Sequence, residues 1–318
     1  MAHRVYIDGH AGTTGLRIRD WLAGRPDLEL IVLPEAERKS AEARRARLAQ
    51  ADVAVLCLPD DAAREAARWA AESGTRLLDA STAHRVDPAW VYGLPELTPE
   101  QRAHIRSAER VANPGCYPSA FLLLVRPLVD AGLLPPDAAL AIHAVSGYSG
   151  GGRTMIERWE DPAAGLSSLP FEAPYALDRV HKHVPEMVRF SGLTRDPQFV
   201  PAVGPFRCGM RVQVPLHADS LAPGTTGKQI WEALSQRYRG EPFVRVHPVR
   251  EPAGGDERSF DPRLCNDTNR IELRVLPHPS GHCLLMAVLD NLGKGASGVA
   301  IQNLNLMLGV EETEGLPA

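Results

Sequence analysis

No two of the five cysteines, at 57, 116, 208, 265 and 283, stand in C-x-x-C spacing, and their number is odd. Neither a disulfide framework nor a zinc site is suggested, and no metal is expected. A reducing cytoplasm fits, and it leaves a thiol free to react. No apolar run approaches the roughly 20 residues that a membrane span needs. The start, Met1-Ala2-His3-Arg4-Val5, carries no secretory signal and runs straight into a strand. Net charge is −4, so no basic footprint argues for nucleic acid. Low-complexity tracts and internal repeats are missing as well. What is present is the ordinary balance of a soluble globular chain, 44% hydrophobic and 23% charged. At 318 residues it is long enough for two domains, each with its own core.

The stretch with the tightest local constraint is Asn113-Pro114-Gly115-Cys116-Tyr117-Pro118. Proline fixes φ and glycine opens φ > 0, so the turn is sharp and preset. The apolar run Ser119 to Val125 follows, and Ser119 or Pro118 is expected to open a helix. Cys116 then lies near a helix N-terminus, where unpaired N–H groups and the helix dipole favour a thiolate. The alternative is a cysteine that packs in a core. A core cysteine does not need so rigid a turn.

Arg4 to Asp8 read as a short buried strand. Gly9-His10-Ala11-Gly12-Thr13-Thr14-Gly15 follows, then a helix with Leu16, Ile18, Trp21 and Leu22. Strand, glycine-rich turn and helix form the setting of a dinucleotide site: the glycines admit a pyrophosphate and the helix end offers it N–H groups. A purely structural tight turn is the alternative. After a second strand over 28–33, an acidic residue would bind a ribose 2′-OH and cations would accept a 2′-phosphate. Glu35 and Glu37 come first, then Arg38-Lys39-Ser40; the two cations favour NADP(H), against a merely solvated loop.

A helix over 40–50 leads to an apolar strand over 51–59, whose end, Cys57-Leu58-Pro59, should face the cofactor. Cys57 is expected to pack there rather than react. A helix over 60–73 and a strand over 76–79 precede Ser81-Thr82-Ala83-His84-Arg85. This alternation means a Rossmann-like, doubly wound α/β domain. Residues 91–97 read as a loop and 99–107 as a helix.

After a helix over 118–131 the character changes. Residues 140–145 are a strand ending in Ser146-Gly147-Tyr148-Ser149-Gly150-Gly151-Gly152. Residues 209–216 and 270–275 alternate apolar and polar, as half-exposed strands do. Residues 282–290 are another strand, and a final helix starts near Ser297. The second domain is therefore α+β with a mixed or antiparallel sheet. Its open face suits a contact with a second copy, giving a dimer or tetramer.

A nucleophilic cysteine needs a proton-handling partner. One histidine cluster stands out among the 11 histidines: His181-Lys182-His183-Val184-Pro185-Glu186, with Pro185 expected to keep the segment from being a regular helix. A metal site is one reading, but further ligands are missing nearby. A histidine acid/base oriented by Glu186 is the sharper one, and spacing alone does not choose between the two histidines. A thiol beside a nicotinamide suggests acyl chemistry: a thioester, its reduction by hydride, and collapse to an aldehyde. A Cys/His hydrolase with a structural glycine loop and a non-catalytic dinucleotide sensor are the rival classes.

These motifs together resemble a known family. Cys116 within Asn-Pro-Gly-Cys-Tyr-Pro-Ser-Ala, Val91 to Leu97 (Val-Tyr-Gly-Leu-Pro-Glu-Leu), Asp290 to Gly298 and Gln302-Asn-Leu-Asn305 are similar to the N-acetyl-γ-glutamyl-phosphate reductases of arginine biosynthesis, in their shorter form. The resemblance implies Cys116 as acylated nucleophile, His181 as acid/base and Glu186 as its companion. It implies substrate contacts from Arg85, Asn113 and Lys182, the last replacing a more usual arginine. It places Gly9, Gly12, Thr13, Thr14, Gly15, Arg38, Lys39, Cys57, Leu58, Ser81, Ser146, Gly147, Asn291 and Lys294 toward the cofactor, NADP(H). It divides the chain into a dinucleotide-binding domain, 1–115, onto which a C-terminal helix (about 295–318) packs back, and a catalytic and oligomerisation domain, 116–294. The nearest rival inside this chemistry is another acyl phosphate, such as aspartyl phosphate.

Overall fold

The computed structural model describes residues 2–163, 168–178, 180–249 and 260–318. The chain separates into two compact units, Met1–Pro114 with Ala296–Pro317, and Gly115–Gly295.

The first unit alternates strand and helix: β1 (His3–Asp8), α1 (Thr13–Leu22), β2 (Leu28–Ile31), α2 (Ala41–Leu48), β3 (Val53–Leu56), α3 (Asp60–Ser73), β4 (Arg76–Asp79), β5 (Val91–Tyr92), α4 (Gln101–Ser107) and β6 (Arg110–Ala112). The six strands form one parallel sheet in the order β2-β1-β3-β4-β6-β5. Strands buried on both faces are apolar throughout, as Val53-Ala54-Val55-Leu56 is. One face is covered by Ile18 and Leu22 of α1. Leu48 of α2 and Ala63, Ala66 and Ala70 of α3 cover the other. Each of the larger fully buried aliphatic side chains contributes roughly 1.5–3 kcal/mol. Residues 91–97 are not wholly a loop: Val91 and Tyr92 pair with Val111 and Ala112 as an edge strand. Two residues are too few to show a strand period.

The second unit contains α5 (Cys116–Asp130), β7 (Ala141–Gly147), α6 (Gly152–Trp159), β8 (Ala173–Pro174), α7 (Val184–Ser191), β9 (Gln198–Gly204), β10 (Met210–Leu216), α8 (Gly227–Arg237), β11 (Val244–Val246), β12 (Ile271–Pro277) and β13 (Cys283–Leu289). Its seven strands form a mixed sheet, β11-β12-β13-β10-β7-β9-β8. The ladders between β10, β13 and β12 are antiparallel, and β7 runs parallel to β9. Helix α5 packs against this sheet and against α7 and α8. It is apolar on every side from Ala120 to Val125, and Phe121 to Val125 are fully buried, as such a stretch must be.

Two helix starts differ from expectation for one reason. Helix α5 begins at Cys116 itself rather than at Pro118 or Ser119, and α7 runs through Pro185 instead of being prevented by it. The first turn of a helix has no use for the N–H that proline lacks. The last helix, α9 (Gly298–Leu308), belongs to the first unit, where Ala300, Ile301, Leu304 and Met307 join the core beside α1.

Candidate active site

The glycine-rich loop of the first unit is shaped by contacts that leave no room for side chains. Gly9 follows β1 at φ +86, and a Cβ there would run into the Cys57 carbonyl oxygen at the end of β3. A Cβ on Gly15 would lie 2.6 Å from the Gly9 carbonyl oxygen. Gly12 caps α1 with no side chain over the helix end, so the N–H groups of Thr13, Thr14 and Gly15 face outward in the first turn. This cradle fits a dinucleotide pyrophosphate. Cys57 donates its own N–H to Asp8, and the Leu58 side chain borders Gly9. Burial, then the charges of Asp79 and Asp8, push the Cys57 thiol up to about 12, so it packs as a neutral group.

Beyond β2, Arg38 and Lys39 are exposed. Arg38 pairs with Glu35 at 2.5 Å, and Ser40 caps α2 by accepting the Ala43 N–H. A buried ion pair of this region lies deeper. Arg44 of α2 holds buried Asp8 at 3.0 Å and stacks on Trp69. Nothing in the spacing of these residues announces that pair.

Asp79, fully buried at the end of β4, organises the loop that follows. It accepts the Ser81 N–H at 2.9 Å, the Ser81 hydroxyl at 2.7 Å and pairs with His84 Nδ1 at 2.7 Å. His84 also stacks on Trp90 at 4.1 Å. Arg85 is anchored by one nitrogen to the Ala80 carbonyl. Asn113 is 1% exposed: its amide donates to Ala296 and its carbonyl accepts from Asn303. Asn113 ties α9 to the segment before Cys116 inside the first unit.

In the second unit Cys116 is the first residue of α5, and no side chain caps that helix end. Its sequence neighbour Tyr117 meets His181 edge-on at 6.0 Å and Phe199 at 4.9 Å between ring centres. Tyr175 donates its hydroxyl to that of Tyr117 at 3.2 Å and meets His181 at 5.6 Å. Burial pushes Tyr175 up to about 12 and Tyr117 well above its ordinary value, so both remain protonated. The two tyrosines lie far apart in sequence, and only Tyr117 sits in a motif.

His181 is half-buried. Burial, then the charge of Lys182, lowers it to about 4. Its Nδ1 accepts the His183 N–H at 3.2 Å, so the neutral ring carries its proton on Nε2. His183 is buried against the same rings, and Lys182 is exposed. Glu186 is 1% exposed and accepts the Gly115 N–H at 3.0 Å. That bond ties Glu186 to the turn that carries Cys116.

The loop after β7 is strapped to residues 206–209. Tyr148 donates to Phe206 and Ser149 to Arg207, both from the main chain. Gly147 lies so close to the Arg207–Cys208 peptide that no side chain would fit, and Ser146 beside it is buried. Asn291 accepts the Gly209 N–H at 2.8 Å and donates to Ser149 at 3.0 Å. Lys294 is fully buried with its ammonium 5.7 Å from the centre of the Phe243 ring. Both side chains are engaged within their unit, and they hold this loop and the turn after β13.

Two family models match. One described as "Semialdehyde dehydrogenase, NAD binding domain" covers residues 4–105, and one described as "Semialdehyde dehydrogenase, dimerisation domain" covers 116–291. The chain belongs to the semialdehyde dehydrogenase family. It is 48% identical over 312 residues to N-acetyl-gamma-glutamyl-phosphate reductase 2 of Pseudomonas putida, covering 98% of each chain. It is 47% identical over 319 residues to the protein of the same name from Nostoc sp., covering 98% of this chain and 99% of the other. These end-to-end matches put it in the reductase branch of that family. Among solved structures, aspartate semialdehyde dehydrogenase II from Vibrio cholerae, complexed with ASA, superposes with a TM-score of 0.74. That match has 18% identity over 97% of this chain and 99% of the other, and it shows the shared fold. Among the described residues, no helix is long and apolar enough to cross a membrane.

Proposed function

We propose that the protein reduces N-acetyl-γ-glutamyl phosphate to N-acetylglutamate semialdehyde with NADPH, releasing phosphate, as a step of arginine biosynthesis. The observation that carries this reading is Cys116 at the first position of α5, with the His181 cluster on the neighbouring ring of Tyr117. The open helix end favours the thiolate. Cys116 Sγ attacks the acyl carbon; a C–S bond forms, and the C–O bond to phosphorus breaks as phosphate leaves with the electron pair. When bound, the reduced nicotinamide supplies the hydride that turns the resulting thioester into a thiohemiacetal. His181 holds its proton on Nε2 and donates a hydrogen bond from it to the oxygen that gains charge in that step. The electron pair of that oxyanion re-forms the carbonyl as the C–S bond breaks, so the aldehyde leaves and the thiolate is restored. Arg85 is assigned to the substrate phosphate, Lys182 to its carboxylate, and Lys39 with Arg38 to the cofactor 2′-phosphate.

A reducing compartment, the cytoplasm, suits a reaction that needs Cys116 as a thiol. The open face of the second sheet, with Arg211, Gln213 and Pro215 of β10 turned outward, is proposed as the contact of a homodimer. Light scattering that finds a monomer would remove that contact. The functional reading is tested by running the reaction backward with NADP and phosphate. Turnover of N-acetylglutamate semialdehyde supports it. Turnover of aspartate semialdehyde alone assigns the enzyme to aspartyl phosphate instead, and thiol-dependent hydrolysis without nucleotide assigns it to a different class.

A further inference from the structure

Cys116 is bounded by main chain on a side where the reaction itself requires nothing. A Cβ built on Gly295 would lie 2.8 Å from Cys116 Cβ and 3.4 Å from its Cα. Only a residue without a side chain can sit that close.

Gly295 is held there by Asp290. The Asp290 carbonyl accepts the Gly295 N–H at 2.9 Å. Its carboxylate is fully buried and accepts two more N–H groups, Leu292 at Oδ1 and Asp267 at Oδ2, each at 2.9 Å. Asp267 has φ +60, a conformation that aspartate tolerates better than most residues. A Cβ on Gly293 would approach Asp290 Cβ at 3.0 Å, so the turn is drawn tightly around the carboxylate. The turn runs into a π-helix, Gly293–Ser297, a distortion frequent at functional sites. Lys294 is buried over Phe243 and Asn291 is bound to Gly209, so two residues within the turn are fixed too.

We propose that Asp290 is a positioning residue for Cys116: through the turn 290–295 it sets Gly295 against Cys116 and confines the thiol to one rotamer. The inference rests on Cys116 being the nucleophile. A cysteine side chain otherwise samples three staggered wells, and attack needs only one of them.

Asp290→Asn leaves one oxygen to accept where two accepted before, and Gly295→Ala keeps the carboxylate but adds the methyl group. Both are expected to lower kcat tenfold or more, with the KM values for nucleotide and acyl phosphate within about twofold of wild type. The double variant is expected to be no worse than the poorer single one, because both act on one geometry. Iodoacetamide alkylation of Cys116, followed by peptide mass, is expected to slow at least threefold in both. This readout needs no substrate, so it holds even where the assigned acyl phosphate is not turned over. A cooperative thermal transition with the near-UV circular dichroism of wild type reports whether each variant is folded. Where Asp290→Asn does not fold, Gly295→Ala carries the test. Variants with a lowered Tm but unchanged kcat and alkylation rate would overturn the proposal, as would losses that add in the double variant.

Discussion

Glu186, in the first turn of α7, accepts the N–H of Gly115 at 3.0 Å across 71 residues of sequence. That bond fixes the residue immediately before Cys116 and sets where α5 begins. Glu186→Ala strips a buried N–H of its partner, at a cost of about 1–3 kcal/mol. Glu186→Gln keeps an oxygen that can accept it. The alanine variant should lose several degrees of Tm and at least tenfold in kcat, and the glutamine variant should recover most of the Tm. Equal Tm losses in the two variants would show that the bond does not stabilise the turn.

The pH dependence has a definite sign at His181. An unperturbed histidine takes up its proton near 6.5, whereas burial holds His181 at about 4 in the folded chain. Between those values the unfolded chain binds more protons, so stability falls as pH drops from 6.5 toward 4. His181→Asn removes this contribution. Urea midpoints at pH 7 and pH 4.5 should therefore move apart less in the variant than in wild type. The same displacement in both would mean that His181 titrates normally in the fold.

At the nucleotide loop, Gly9→Ala combines a left-handed φ with a collision against the Cys57 carbonyl. The conformation alone costs about 1–2 kcal/mol in a residue with a Cβ. NADPH affinity should fall at least tenfold by fluorescence titration. Affinity at the wild-type level would place the dinucleotide elsewhere.

Much of this was legible beforehand and some was not, for physical reasons. The run Val53 to Leu56 betrays a strand buried on both faces, and Gly9, Gly12 and Gly15 betray a loop with close backbone approach. Pro114, Gly115 and Cys116 mark a preset turn before an apolar helix. Asp79 and the Arg44–Asp8 pair are different: each acts through partners supplied by the fold, and an isolated aspartate in sequence looks like any surface charge. Asn113, Asn291 and Lys294 lie in recognisable motifs, but their partners within each unit, Ala296, Gly209 and Phe243, come from distant parts of the chain. A motif marks a constrained position; it does not say toward what the residue points.

Cofactor choice is proposed to rest with two adjacent residues. Arg38 is engaged by Glu35, whereas Lys39 is exposed beside it. Lys39→Glu should raise the KM for NADPH tenfold or more and leave that for NADH nearly unchanged. Arg38→Glu should do less, because Glu35 already competes for that guanidinium. Parallel changes for both nucleotides would remove this pair from 2′-phosphate recognition.

The central claim is that the acyl group passes through Cys116, and intact and peptide mass after incubation with N-acetyl-γ-glutamyl phosphate, without nicotinamide cofactor, tests it most directly. The account predicts an N-acetylglutamyl adduct on the peptide containing Cys116, absent from an inactive Cys116→Ser variant. An adduct on another residue, or reductase activity that survives in Cys116→Ser, would contradict it.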